Sequence, residues 1–275
     1  MVKSVCFTID VEPDYGGLLN SDVYYGKKGL NKLSTTANSY GLKITAFATG
    51  KTLEDNPDIV EMLDSMRAEV EQHSYAHKVG HGNKICDIQK GIETHRSVLG
   101  KNPLGYRAPQ GIINKSEMQL LEKMGIRFDS SIYPTYFPGR FNRSKFPKTP
   151  FRIKGSTLIE MPFSIIGKLG IPMGLSYVQM IGIGSYIRLL KIFGVPDLII
   201  FDFHPYELVK VPSFSMLPLI SKIGYFRSQK LYKDPSWVFE EFVKFILESG
   251  YKTKYLYEIY EESKLKAPVW DWTGD

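Results

Sequence analysis

Along this chain, short apolar runs alternate with amphipathic stretches, and run after run ends on a titratable side chain. Residues 7–13, Phe7-Thr8-Ile9-Asp10-Val11-Glu12-Pro13, read as a first strand delivering carboxylates to its end. Helical spacing over 30–40, closed by Gly41, leads to a strand and turn over 43–50. A helix over 57–66 leads to a short strand over 68–72 that runs into His73. A helix over 85–99 precedes a strand over 104–108, and a helix over 116–124, with Ser116 as N-cap and Gly125 as its stop, precedes the strand end at Asp129. Strands over 157–163 and 197–203, a helix over 236–249 and a last strand over 252–256 complete the pattern. Residues 14–28 read as a loop and residues 133–154 as a long excursion. Such alternation argues for parallel strands with crossover helices, whose functional groups gather at the C-terminal ends of the strands. With 275 residues, 43% of them hydrophobic, the expectation is one domain over 1–275.

The strand ends carry chemistry. Side chains alternate along a strand, so Asp10 and Glu12 project to one side while Val11 turns away. Two carboxylates so placed repel each other unless a cation, a proton or an arginine intervenes. His73 and His77 stand at i, i+4 in His73-Ser74-Tyr75-Ala76-His77, facing one way on a turn of helix, where they can grip a divalent metal. His77 and His81 form a rival pair, less suited to a helix because Gly80 and Gly82 flank it. Two histidines at this spacing serve structural roles as often as metal binding, but the carboxylate pair shifts the reading towards a metal with an open position for water. Arg107, just before Pro109, can pair with a carboxylate and keep it ionised. His204 ends a buried strand with a side chain suited to giving a proton near neutral pH. Tyr15, Tyr24, Tyr25, Tyr133, Tyr136 and Phe137 fall in loops at the same end, where rings can line a binding site.

Lys and Arg exceed Asp and Glu by 35 to 29, and the net charge of +6 is spread along the chain. This suits an anionic substrate or membrane surface better than nucleic acid, for which there is no motif. Cys6 and Cys86 stand in no metal or redox spacing. The first residues lack the pattern of a signal peptide, so the expected location is cytoplasmic. Residues 169–187 hold 19 residues without a formal charge between Lys168 and Arg188. Gly170, Pro172, Gly174, Gly182 and Gly184 interrupt them too often for a membrane span, so a buried loop or groove wall is expected. Their basic flanks, Lys154, Lys168, Arg188 and Lys191, leave peripheral contact with a cytoplasmic membrane face as a further expectation.

Five motifs in order, Thr8-Ile9-Asp10, His73 to His77, Arg107-Ala108-Pro109-Gln110-Gly111, Phe128-Asp129-Ser130-Ser131 and Phe203-His204-Pro205, resemble the series of the polysaccharide deacetylases, the NodB-homology group akin to carbohydrate esterase family 4. Residues 45–50 and Asn56-Pro57 add to the likeness, which runs from residue 4 to about 260. The resemblance implies an α/β fold of one distorted (β/α) barrel with about seven parallel strands. It implies a divalent metal, commonly zinc, that presents water to an N-acetyl or N-formyl group on an amino sugar in a polysaccharide, glycolipid or nucleotide-linked precursor. Asp10 would then be the general base, oriented by Arg107, and His204 the acid that protonates the departing amine. His73 and His77 would be metal ligands. Asp129 would orient His204, although that motif usually carries a tryptophan and here continues Ile132-Tyr133-Pro134; Pro109 and Tyr133 are the expected substrate contacts. Where the family usually has a second aspartate this chain has Val11, which cannot bind metal, so Glu12 is the expected substitute and Asp14 the fallback. Two other readings stay open: a metal-independent amidohydrolase of allantoinase type on a small cyclic amide, and a carbohydrate-binding protein without turnover. Oligomeric state is left open.

Overall fold

The computed structural model describes residues 3–17, 19, 24–77, 84–212 and 231–272. Seven parallel strands lie side by side in the order Leu198–Phe203, β1 (Ser4–Val11), β2 (Ile44–Ala48), β3 (Glu69–Gln72), β4 (Gly105–Tyr106), β5 (Phe128–Asp129) and Ile159–Glu160. The two ends of this row approach each other at Ser164. Its backbone N–H donates to the Ile200 carbonyl at 3.2 Å and its Oγ accepts from the Ile200 N–H at 2.9 Å. The sheet thus curves into the expected distorted barrel, with a serine at the seam where a strand ladder would otherwise run. All eight residues of β1 are buried, as befits a parallel strand covered on both faces.

Alternation along β1 sorts its side chains into two environments. Val5, Phe7, Ile9 and Val11 face outward into a core shared with the helices, while Cys6 packs with Phe47, Phe128, Ile159, Met161 and Ile200. Thr8, Asp10 and Glu12 lie on the same side of the strand as Cys6. Outside, Phe239 and Phe242 of the helix Ser236–Glu248 seat it on the sheet, Phe242 stacking on Phe201 at 4.3 Å and Phe239 meeting Phe7 edge-on at 5.5 Å. Burying each ring contributes roughly 2–3 kcal/mol.

The helices largely follow the sequence pattern, with instructive departures. α1 (Tyr25–Tyr40) begins earlier than expected, inside the presumed loop, because Asp14 accepts the N–H groups of Tyr25 and Gly26 at 2.6 and 2.8 Å. It ends where Gly41 turns left-handed at φ +60°. α2 (Gly50–Asp55) replaces the turn expected after β2, capped by Thr49, and α3 (Pro57–Ser65) follows with proline in its first turn. After α4 (Lys84–Leu99), α5 (Lys115–Lys123) starts one residue earlier than expected, and its N-cap is Asn114 rather than Ser116, because Asn114 and Glu117 form a reciprocal capping box.

The excursion over 133–154 contains a small hairpin, Tyr136–Phe137 with Phe141–Asn142, and the strand Phe151–Ile153, antiparallel to Ile159–Glu160. Residues 169–187 form neither a span nor a loop: they enter the hairpin strand Ile171–Pro172 and then the helices Leu175–Ile181 and Ile183–Phe193. No helix among the described residues is long and apolar enough to cross a membrane.

The final strand is shorter than expected. Lys252–Thr253 pairs with β1, and the chain then forms the helix Leu256–Ser263 and the strand Val269–Trp270. That helix starts against the strand beginnings, where Thr45 Oγ1 and Glu69 accept the Leu256 N–H at 2.9 and 3.1 Å. Its Leu256 and Ile259 join Cys6, Phe47 and Phe128 in the inner cluster, flooring the barrel at the end opposite the strand tips.

Candidate active site

Asp10 and Glu12 emerge on one side of β1, as alternation requires, and both are buried. Arg107 follows β4 and reaches across the barrel, with its side chain 1% exposed. Its Nη1 donates to Asp10 Oδ1 at 2.7 Å and to Asp202 Oδ1 at 2.6 Å. Nη2 donates to Thr8 Oγ1 and Ser130 Oγ at 2.9 and 3.1 Å, and Nε to the Ser130 carbonyl at 2.9 Å. Its planar face lies over Phe47 and Phe163, 4.2 and 4.4 Å from the ring centres. Although burial would lower its pKa, Asp10 and Asp202 hold it up, so the guanidinium stays charged. One oxygen of Asp10 is thereby fixed, and the other faces His73 Nε2 at 3.8 Å.

His73 and His77 converge, but not on a helix. Ser74 and His77 both take left-handed backbone angles, φ +63° and +56°. Asp87 of α4 holds the bend by accepting the N–H groups of Tyr75 and Ala76 at 3.3 and 3.2 Å. The Gly50 and Lys51 N–H groups take the carbonyls of Ser74 and Tyr75 at 2.9 Å each. The imidazoles end 5.3 Å apart between centroids. Glu12 Oε2 lies 3.2 Å from His73 Nε2 and 2.6 Å from His77 Nε2, and the three donors fall within 4.8 Å of one another.

This donor set fits a divalent cation. His73 Nδ1 lies 2.8 Å from the Arg107 carbonyl, which can only accept, so Nδ1 carries a hydrogen. Nε2 is therefore the nitrogen turned to the carboxylate, and the pair is satisfied either by a proton on Nε2 or, with Nε2 as a lone-pair donor, by a cation between them. Burial would raise the Glu12 pKa, yet bonds from His73 and His77 hold it well below the usual carboxylate range. Burial would lower the His73 pKa, but Asp10 and Glu12 raise it. Two nitrogens and one carboxylate oxygen suit zinc among other divalent ions. The fallback ligand is excluded from this cluster: both Asp14 oxygens serve the start of α1. His81 lies outside the described residues.

His204 follows the strand Leu198–Phe203 and remains part-exposed, its side chain at 26%. Its Nε2 lies 3.6 Å from Glu12 Oε1, and its Nδ1 lies 3.8 Å from Glu207 Oε2. Burial alone would lower its pKa; Glu207, Glu12 and Asp10 overcome this and push it up to about 10. Asp129 is not the residue that orients it. Fully buried, Asp129 accepts the Ser131 hydroxyl and N–H at 2.8 and 3.1 Å and stands beside Glu160, whose pKa burial and Asp129 drive up. The carboxylate on the Nδ1 side of His204 is Glu207, which also accepts the His204 backbone N–H at 2.9 Å.

Of the expected substrate contacts, Pro109 is buried at the start of a short turn, Pro109–Gly111. Gly111, at φ +66°, lies so close to Tyr133 that a Cβ there would meet the ring at 3.1 Å. Tyr133 is half-buried, stacked on Phe163 at 3.8 Å, and donates its hydroxyl to Asp202 Oδ2 at 3.2 Å.

The motif reading passed over Asp202, Glu207 and Asp87. Asp202 carried a signal, two residues before His204 and so on the same side of its strand. Glu207 stands three residues after His204, the spacing of a capping carboxylate. Nothing in the sequence ties Asp87 to the histidines.

Residues 2–128 match the polysaccharide deacetylase family profile. A peptidoglycan deacetylase of Helicobacter pylori is 26% identical over 147 residues, 46% of this chain and 49% of that one. A peptidoglycan deacetylase-like protein of Gibberella zeae is 27% identical over 119 residues, 41% of this chain and 35% of that one. The chain thus spans about a third to a half of the length of these curated relatives. Among solved structures, a candidate polysaccharide deacetylase from Mycobacterium smegmatis superposes over 100% of this chain and 96% of its own, with TM-score 0.67 at 18% identity. The Puue allantoinase, with TM-score 0.60 at 10% identity, covers 96% of this chain and 90% of its own. A pseudoenzyme of carbohydrate esterase family 4 from Bacillus anthracis, with TM-score 0.56 at 13% identity, covers 94% of this chain and 66% of its own. Over residues 2–128 the chain is thus similar to the polysaccharide deacetylase family, and its fold is the one these solved structures share.

Proposed function

We propose that this chain is a metal-dependent hydrolase that removes an N-acetyl or N-formyl group from an amino sugar in a polysaccharide or in a lipid- or nucleotide-linked glycan precursor. The observation that carries the reading is the convergence of Glu12, His73 and His77 donors within 4.8 Å beside an arginine-held Asp10. A divalent cation held by these three would polarise the acyl oxygen and make a water more acidic. Asp10, held through Oδ1, would take the proton of the attacking water on Oδ2. As the water oxygen bonds to the acyl carbon and the carbon–nitrogen bond breaks, His204 would protonate the departing amine, leaving a free amino sugar and acetate or formate.

The presence of base, acid and all three donors supports turnover over a binding-only role, and the preformed donor set supports a metal-dependent reaction over a metal-independent one. The test is acetate release from N-acetylglucosamine oligomers and from peptidoglycan, with elemental analysis of the same preparation. Release abolished by chelator and restored by zinc is the expected result. Release that survives complete removal of metal would overturn the reading.

A further inference from the structure

We propose that Asp202 is a positioning residue that ties the guanidinium of Arg107 to the hydroxyl of Tyr133, so that the sugar-facing ring and the catalytic base take up position as one unit. Asp202 pairs with Thr8 across the parallel ladder and is 9% exposed. Its Oδ1 shares Arg107 Nη1 with Asp10, at 2.6 and 2.7 Å, and its Oδ2 accepts the Tyr133 hydroxyl at 3.2 Å. Oδ1 also accepts the Thr8 hydroxyl at a longer 3.5 Å, so one oxygen faces the arginine side and the other faces Tyr133.

Phe163 joins the same partners from below, since the Tyr133 ring stacks on it at 3.8 Å and the Arg107 guanidinium lies 4.4 Å from its centre. Tyr133 is therefore pinned at ring and hydroxyl. A displacement of Tyr133 reaches Asp10 through one carboxylate and one guanidinium nitrogen, and placement at this scale governs the rate of a positioned reaction. An aromatic held only for stacking needs no such link; its hydroxyl would face solvent or sugar.

The inference rests on the deacetylase reading for its kinetic test, which is a double-mutant cycle with Asp202→Asn and Tyr133→Phe. Tyr133→Phe keeps the ring, and we expect it to lower kcat about tenfold with KM nearly unchanged. Asp202→Asn should give a similar loss, and the double variant should be little worse than either single one, with metal content equal to the parent throughout. Multiplying losses, or a Tyr133→Phe effect confined to KM, would overturn the link. A second readout separates this outcome from failure of the deacetylase reading. In protein labelled with ¹⁵N-arginine, the Arg107 side-chain signal, assigned by its loss in Arg107→Lys, should move in Tyr133→Phe. If the parent releases no acetate but the signal moves, the link stands and the activity reading falls; an unmoved signal overturns the link whatever the activity.

Discussion

His73 donates its Nδ1 hydrogen to the carbonyl oxygen of Arg107, 2.8 Å away. The two residues belong to different motifs, and the bond fixes which face of the imidazole meets Glu12. The arginine that holds Asp10 with its side chain therefore also orients the His73 imidazole with its backbone.

Metal retention follows from this arrangement. Parent protein should carry close to one divalent ion per chain, and Glu12→Gln or His73→Ala should lose it on dialysis. Asp14→Asn should keep the metal, because its oxygens serve the start of α1, and should instead lower stability by about 1 kcal/mol in urea unfolding. Metal lost in Asp14→Asn but kept in Glu12→Gln would reverse the assignment.

The bend that carries His77 depends on Asp87. Asp87→Ala should weaken metal binding about 10- to 100-fold, the usual scale for removing an outer support of a ligand. Competition with a chromogenic chelator measures this directly. Unchanged affinity would show that the bend holds itself.

For His204 as the proposed acid, the expectation separates two carboxylates. Glu207→Ala should lower kcat by about tenfold with metal content intact, because it frees His204 from its neighbour. Asp129→Asn should act first on stability, since its partners are Ser131 and Glu160. Denaturant melts and steady-state rates on the same two variants decide between these assignments.

His95 of α4 predicts a pH effect away from the site. It is fully buried, neither ring nitrogen has a hydrogen-bond partner among the described residues, and burial with the charge of Lys101 lowers its pKa to about 4. Between the ordinary histidine value and this one, the unfolded chain takes up a proton that the folded chain refuses, so the histidine's contribution to stability is intact above the window and falls as pH falls through it. Comparing urea unfolding of the parent and His95→Leu at pH 7.5 and pH 5, the parent should lose about 2 kcal/mol more than the variant. Equal losses would refute the assignment.

The strand alternation was legible in the sequence because a parallel strand covered on both faces must be apolar along its length, and its end shows as the first charge. Asp10, Glu12, Arg107 and His204 therefore came out at the strand tips from periodicity and motif alone. The shape of the histidine segment did not, because spacing at i, i+4 cannot tell a helical turn from a bend held by Asp87, which lies ten residues beyond His77. Asp129 was misjudged for the same kind of reason: motif order brings it near His204, but only packing reveals that Ser131 and Glu160 claim its oxygens. α2 went unseen because its cap, Thr49, closes an apolar run that reads equally well as strand and turn.

The floor of the barrel has a consequence for synthesis. Leu256 and Ile259, which close the lower end of the inner cluster, are translated after every parallel strand whose lining they cover. A nascent chain can align all seven strands while Cys6, Phe47 and Phe128 still face water from below. Commitment to the native state then waits on the last helix, and the interval before it docks is when the emerging chain most needs shielding from aggregation.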